Sequence, residues 1–162
     1  MPQEEIVIYT DGAARGNPGP GGLGVVMMFG DHRRELSEGY RITTNNRMEL
    51  LAVIRGLEAL KRHDLKIKIY TDSKYVSEAV NQGWVFNWEA KRFKKKKNTD
   101  LWQRFLELYR KFDITLIWVK GHANNKENER CDRLAVEASH GGQLLEDSGY
   151  VENNGESFIS FS

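Results

Sequence analysis

Two aspartates close near-identical runs in this chain of 162 residues: Ile8-Tyr9-Thr10-Asp11 and Ile69-Tyr70-Thr71-Asp72. Each run reads as a strand. If the two strands are parallel neighbours, the carboxylates arrive side by side at one sheet edge, where they repel unless a cation lies between them. A single Asp at a strand end more often starts a turn or caps the next helix, so the pair gains meaning only when other acids can join it. Glu49 and Asp132 are the candidates. Glu49 follows Thr44-Asn45-Asn46 at the start of a helical pattern; with Asn46 as cap it is a capping-box carboxylate, its competing role. Asp132, between Cys131 and Arg133, is by itself a solvated acid or half of an ion pair. Together, two strand-end aspartates and two acids near helix starts make an oxygen-rich ligand set of the kind magnesium requires. Two such ions can activate a water and stabilise the leaving oxygen of a phosphodiester.

Other chemistries are excluded. Cys131 is the single cysteine and no His-Glu-x-x-His occurs, so intramolecular disulfides and a Cys-rich or zincin-type zinc site are ruled out and any metal must be held by oxygen. The glycine-rich loop after Asp11 has no Gly-Lys-Ser/Thr ending, which rejects a P-loop. A net charge of +1 hides an uneven distribution: Lys91, Arg92, Lys94, Lys95, Lys96 and Lys97 place six cations within seven residues, while Gln143 to Ser162 is acidic, with Glu146, Asp147, Glu152 and Glu156. A basic block of this kind attracts phosphate even on a nearly neutral protein. The stretch Trp84-Val85-Phe86-Asn87-Trp88 just before it reads equally as a small aromatic core or as a stacking surface for sugars and bases. Met1-Pro2-Gln3-Glu4-Glu5 has no leader character and no apolar run approaches the roughly 20 residues of a membrane span. The expectation is a cytoplasmic protein with no membrane contact.

The acids need elements to hold them. Ile6 to Thr10 reads as a short buried strand; after a loop from Gly12 to Gly22, Leu23 to Phe29 and Arg33 to Tyr40 make two further strands of an antiparallel meander. From Met48 the period becomes helical through Leu50, Val53, Ile54, Leu57 and Leu60, ending near Arg62. Lys66 to Thr71 is a strand, Ser73 to Val80 a short helix, Asn98 to Lys111 another, Thr115 to Val119 a fifth strand and Glu127 to Ser139 a last helix. This order predicts an α/β protein with one five-stranded mixed sheet, three antiparallel strands plus two parallel ones, and helices on both faces. One domain over residues 1–150 is expected, followed by a tail, 151–162, that is loosely ordered or docks its Phe158-Ile159-Ser160-Phe161 as an added strand.

Five ordered segments now match a known pattern: Tyr9-Thr10-Asp11-Gly12; Gly16-Asn17-Pro18-Gly19-Pro20-Gly21-Gly22; Thr43-Thr44-Asn45-Asn46-Arg47-Met48-Glu49-Leu50; Thr71-Asp72-Ser73; and Trp118-Val119-Lys120-Gly121-His122-Ala123 with Glu127-Asn128-Glu129-Arg130-Cys131-Asp132. From about Ile6 to Tyr150 the chain resembles bacterial ribonuclease HI, the type 1 ribonuclease H family. The resemblance implies a ribonuclease H-like fold and an endonuclease that hydrolyses the RNA strand of RNA/DNA hybrids by in-line attack of water, leaving a 5′-phosphate and a 3′-hydroxyl. Asp11, Glu49, Asp72 and Asp132 match the four metal-binding acids, for one or two magnesium ions with manganese as an alternative. Glu49 would also face the ribose 2′-hydroxyl. His122 matches a loop histidine that assists proton transfer or product departure.

For substrate binding, the resemblance puts the backbone near Gly12 to Arg15 and the side chains of Asn17, Asn45 and Asn46 against the minor groove. There a 2′-hydroxyl distinguishes RNA from DNA without reading sequence. Trp84 and Trp88 would line the DNA-strand channel, Thr44 and Asn98 would hold a DNA phosphate, and Lys94, Lys95, Lys96 and Lys97 would form the basic handle. Four features depart from the pattern: a handle shorter and denser in lysine, Ile42 where a basic residue often accompanies Thr44, Lys74 in place of an uncharged polar residue, and the tail. The rivals are a hybrid-binding module without catalysis, which would not need all four acids and His122, and a DNA nuclease or recombinase of the same fold. The expected partner is the hybrid duplex alone, bound by a monomer without an obligate protein partner. Four acids gathered without metal should have raised pKa values, so activity should fall in acid.

Overall fold

The repeated tetrapeptide pairs with itself. In the computed structural model, which describes residues 5–62, 64–121 and 125–151, β1 (Glu5–Ala14) and β4 (Lys66–Thr71) run parallel with Ile8 opposite Ile69, Tyr9 opposite Tyr70 and Thr10 opposite Thr71. The two tyrosine rings stack at 4.7 Å between centroids and 14° between planes. Asp11 and Asp72 therefore follow a matched pair of threonines at the same sheet edge. The remaining strands are β2 (Gly19–Phe29), β3 (His32–Thr43) and β5 (Asp113–Trp118), in the spatial order β3-β2-β1-β4-β5. β1, β2 and β3 are antiparallel, and β1, β4 and β5 are parallel.

Alternation along the strands divides the core in two. Ile6 and Ile8 of β1 and Leu23, Val25 and Met27 of β2 share the larger hydrophobic cluster with α1 (Asn45–Glu58), whereas Val26 packs with Cys131 and Leu134 of α5 (Lys126–Ser139), with Tyr9 and Met28 at the margin. Helices thus cover both faces, as the order of elements predicts, and each fully buried aliphatic side chain contributes roughly 1.5–3 kcal/mol. α2 (Lys74–Asn81), α3 (Trp84–Ala90) and α4 (Thr99–Tyr109) complete the fold, α4 laying the fully buried Trp102 and Phe105 against α1. Among the described residues no helix is long and apolar enough to cross a membrane.

Three expectations are corrected. The glycine-rich segment is mostly strand: β1 continues to Ala14 and β2 begins at Gly19. Its glycines permit close approach; a Cβ on Gly24 would strike the Cys131 carbonyl of α5, and one on Gly12 the Met48–Glu49 backbone of α1. α1 begins at Asn45 and stops at Glu58, not Met48 and Arg62, because Thr44 is its cap, accepting the Arg47 N–H at 3.2 Å. That places Glu49 past the capping-box position, so its carboxylate is not used by the helix end. The aromatic run forms α3, entered through Gly83 at φ 78°.

Candidate active site

Asp11, Glu49 and Asp72 converge, offering carboxylate oxygens that all lie within 4.8 Å of one another. Asp11 comes from β1, on the Tyr9 side of the pleat that α5 covers. Its Oδ1 accepts the Gly12 N–H at 2.9 Å. Glu49 comes from the first turns of α1, brought close because Gly12 has no side chain. Asp72 sits between β4 and α2: Ser73 caps α2 by accepting the Val76 N–H at 3.1 Å, and the Asp72 carbonyl accepts the Trp118 indole N–H at 3.1 Å. Gly121 closes over it, since a Cβ there would lie 2.8 Å from Asp72 Oδ2. Asp132, on the α5 turn after the buried Asn128, stands against Asp11 and interacts with its carboxyl, outside the tight group of three.

The electrostatics follow from that crowding. Burial, then the charge of Asp72 and the contact with Asp132, push the Asp11 carboxyl up to about 8. Burial, followed by Asp11 and Asp72, raises Glu49 well above the usual carboxylate range. Glu49 Oε1 and Asp72 Oδ1 are buried with no hydrogen-bond partner among the described residues. As carboxylates these oxygens only accept, so a proton or a cation has to lie among them. An all-oxygen, multiply charged donor set fits a hard divalent ion. The neighbouring Cys131 is no ligand: its Sγ lies 3.2 Å from the Tyr9 carbonyl and burial raises its thiol pKa.

Six of the expected substrate-binding residues form a second grouping, which does not include the four acids. A cleft of about 710 Å³ is lined by Asn17, Thr44, Asn46, Lys96, Lys97 and Asn98, from three separate segments. Asn17 Oδ1 accepts the Asn45 N–H at 3.0 Å and Asn45 Oδ1 accepts the Ala14 N–H at 2.6 Å, tying the loop to α1. The oxygens of both amides are thus used internally, and their NH2 groups are what remain for a ligand. Asn98, at φ 61°, accepts from Arg47 Nη1 at 3.3 Å and donates to the Tyr75 hydroxyl at 3.0 Å. Trp84 is 44% exposed. Trp88 is half-buried, edge-on to Trp102 at 5.8 Å with Lys96 Nζ 4.9 Å from its ring centre. The aromatic run is therefore both core and surface. Lys94, Lys95 and Lys97 are exposed, and Phe93 anchors their loop in the core. Ile42, two residues before Thr44, is exposed. His122 and residues 152–162 lie outside the described residues.

Sequence reasoning missed what holds the cleft together. Arg47, 2% exposed, donates from Nε and Nη2 to Asp147 at 2.7 and 2.9 Å and from Nη1 and Nη2 to Asp100 at 2.9 and 2.7 Å. Thr43 Oγ1 adds a hydrogen bond to Asp147 at 2.7 Å. One guanidinium thereby fastens the starts of α1 and α4 to the segment at Asp147. The available signal was an Arg inside the Asn-Asn-Arg-Met-Glu run; its partners are too distant in sequence to be read from spacing.

Comparison with known proteins agrees with this geometry. The RNase H family model matches residues 3–140. Ribonuclease H of Syntrophus aciditrophicus (strain SB) is 56% identical over 154 residues, covering 92% of this chain and 88% of that protein. Among solved structures, LC9-RNase H1, described as a type 1 RNase H with the type 2 active-site motif, superposes with a TM-score of 0.78 at 31% identity, covering 94% of this chain and 81% of that one. LC11-RNase H1, solved in complex with an RNA/DNA hybrid, does so with a TM-score of 0.65 at 28% identity, covering 84% and 97%. An in-register pair of strand-end aspartates, a helix-borne glutamate beside them and this match over most of the chain place the protein in the ribonuclease H family.

Proposed function

We propose that the chain is a divalent-metal-dependent endonuclease that cuts the RNA strand of RNA/DNA hybrids with little sequence preference, leaving a 5′-phosphate and a 3′-hydroxyl. The observation that carries this is the convergence of Asp11, Glu49 and Asp72 with two buried oxygens that lack a donor. Asp11, Glu49, Asp72 and Asp132 would hold one or two magnesium ions, manganese being an alternative. Such an ion, when bound, lowers the pKa of a water and offsets charge on the phosphate and leaving oxygen. Asp11 lies between Asp72 and Asp132 and is the natural shared ligand. Glu49 reaches the group from α1 and faces the ribose side, while His122 assists proton transfer or product departure.

The amide NH2 groups of Asn17, Asn45 and Asn46 meet the minor groove, where the 2′-hydroxyl marks the RNA strand. Thr44 and Asn98 receive a DNA phosphate in the cleft, Trp84 and Trp88 border the DNA strand, and Lys94 to Lys97 supply the attraction to the backbone. Residues 1–150 form the catalytic unit, acting as a cytoplasmic monomer on the hybrid without an obligate protein partner.

A gel assay with matched RNA/DNA, RNA/RNA and DNA/DNA duplexes, with and without magnesium, tests this directly. Cleavage should be confined to the RNA of the hybrid and should need the ion. Cutting of the DNA duplex, or hybrid cleavage that persists in chelator, would refute it.

A further inference from the structure

Lys74 is a cation at a helix start, where the helix itself does not favour one. It is the first residue of α2, where the helix dipole disfavours positive charge. It stands two positions after Asp72, yet makes no ion pair with a carboxylate among the described residues, while Asp72 keeps a buried oxygen with no partner. A lysine serving to neutralise the acids would be turned onto that oxygen. Instead, Lys74 is exposed and its Nζ is held 5.2 Å from the ring centre of Trp118. Trp118, itself 41% exposed, is fixed by its indole hydrogen bond to the Asp72 carbonyl. The ammonium is thus kept on an aromatic face, hydrated, and tethered to the backbone of a site acid. Cation–π contact of this kind narrows the rotamers a long side chain must give up on binding.

We infer that Lys74, held by Trp118, contacts a phosphate of the RNA strand next to the one that is cut, as a cationic subsite separate from the lysine-rich handle. This rests on the hybrid-cleavage function proposed above. The acids around Asp72 take the scissile phosphate, so Lys74, two residues further along and held on the tryptophan that is bonded to the Asp72 carbonyl, meets the neighbouring phosphate of the same strand. The cleft with Lys96, Lys97 and Asn98 lies on other segments.

Binding of a short RNA/DNA hybrid, measured by fluorescence anisotropy in chelator across a salt series, isolates this contact from turnover. Lys74→Gln should weaken binding about 3- to 10-fold near 0.1 M salt and reduce the slope of log K against log[salt] by about 0.7–0.9, the loss of one phosphate contact. Lys74→Arg should restore both. In steady-state cleavage the Gln variant should raise KM more than it lowers kcat. A hybrid with a neutral methylphosphonate at the RNA linkage next to the cut should remove the difference between wild type and Lys74→Gln; the same change in the DNA strand should not. An unchanged salt slope, or a difference removed only by the DNA-strand substitution, overturns the assignment. If wild-type protein binds and cuts the hybrid normally in those experiments, the endonuclease function survives; if it does neither, both fall.

Discussion

Replacing Asp11 by Asn should destroy cleavage and at the same time make the metal-free protein more stable. The Asp11 carboxyl rises from its ordinary 3.8 to about 8 in the folded state. A raised carboxyl binds its proton more tightly when native, so stability is greatest below pH 3.8 and is lost as pH climbs towards about 8. At pH 7 the gap above the unfolded value is 3.2 units (7.0 − 3.8), a cost of about 4 kcal/mol at about 1.4 kcal/mol per unit. At pH 5 the gap is 1.2 units (5.0 − 3.8), a cost of about 2 kcal/mol. Asn cannot ionise, and its NH2 offers a donor to the oxygens of Glu49 and Asp72 that lack one. Urea unfolding in chelator should therefore show Asp11→Asn more stable than wild type, by about 1–2 kcal/mol at pH 5 and about 2–4 kcal/mol at pH 7. Adding magnesium at a hundred times its dissociation constant should return about 2.7 kcal/mol to the wild type and much less to the variant. A variant less stable than wild type at both pH values, or a difference that does not grow with pH, would refute the account of the crowded carboxylates.

Two further outcomes concern the surroundings of the site. Asp147→Ala leaves the buried Arg47 with one carboxylate among the described residues, that of Asp100, whose side chain is 38% exposed, besides the Asn98 amide oxygen, and should cost about 3 kcal/mol in urea unfolding; a loss below 1 kcal/mol would remove the Arg47 cluster from the structural account. Lys95 occupies the left-handed region at φ 62°, so Lys95→Gly should add about 0.5–1 kcal/mol of stability while reducing the salt slope of hybrid binding by up to one phosphate contact, and a destabilised variant would contradict the backbone geometry.

Much of the site was legible because it is written in local repeats. The echo of Ile-Tyr-Thr-Asp pairs in register, β4 has the bounds expected from its alternation, and the raised carboxyls of Asp11 and Glu49 follow from burial and then from charge crowding. What was illegible has two physical origins. Glycine is ambiguous on paper: at Gly24 and Gly12 it admits helix backbone against a strand, but in a string it reads as a turn. Thr44 and Asn46 are both sound caps, and only tertiary packing decides that Thr44 wins and frees Glu49. The Arg47 cluster depends on Asp100, which no motif singles out, and on Asp147, which counts in the sequence only as part of an acidic segment but is 5% exposed in the fold.

The bare backbone under α5 has a consequence for anyone altering this protein. Putting a β-branched residue into a strand is ordinarily a strengthening move, and Gly22, Gly24 and Gly39 would each attract it. Every one of them lies directly beneath a carbonyl of α5, so the added methyl groups would jack that helix off its seat and swing Asp132 away from Asp11. The sheet could survive while the chemistry stopped: a silencing lever built into strands that carry no reactive group on those residues.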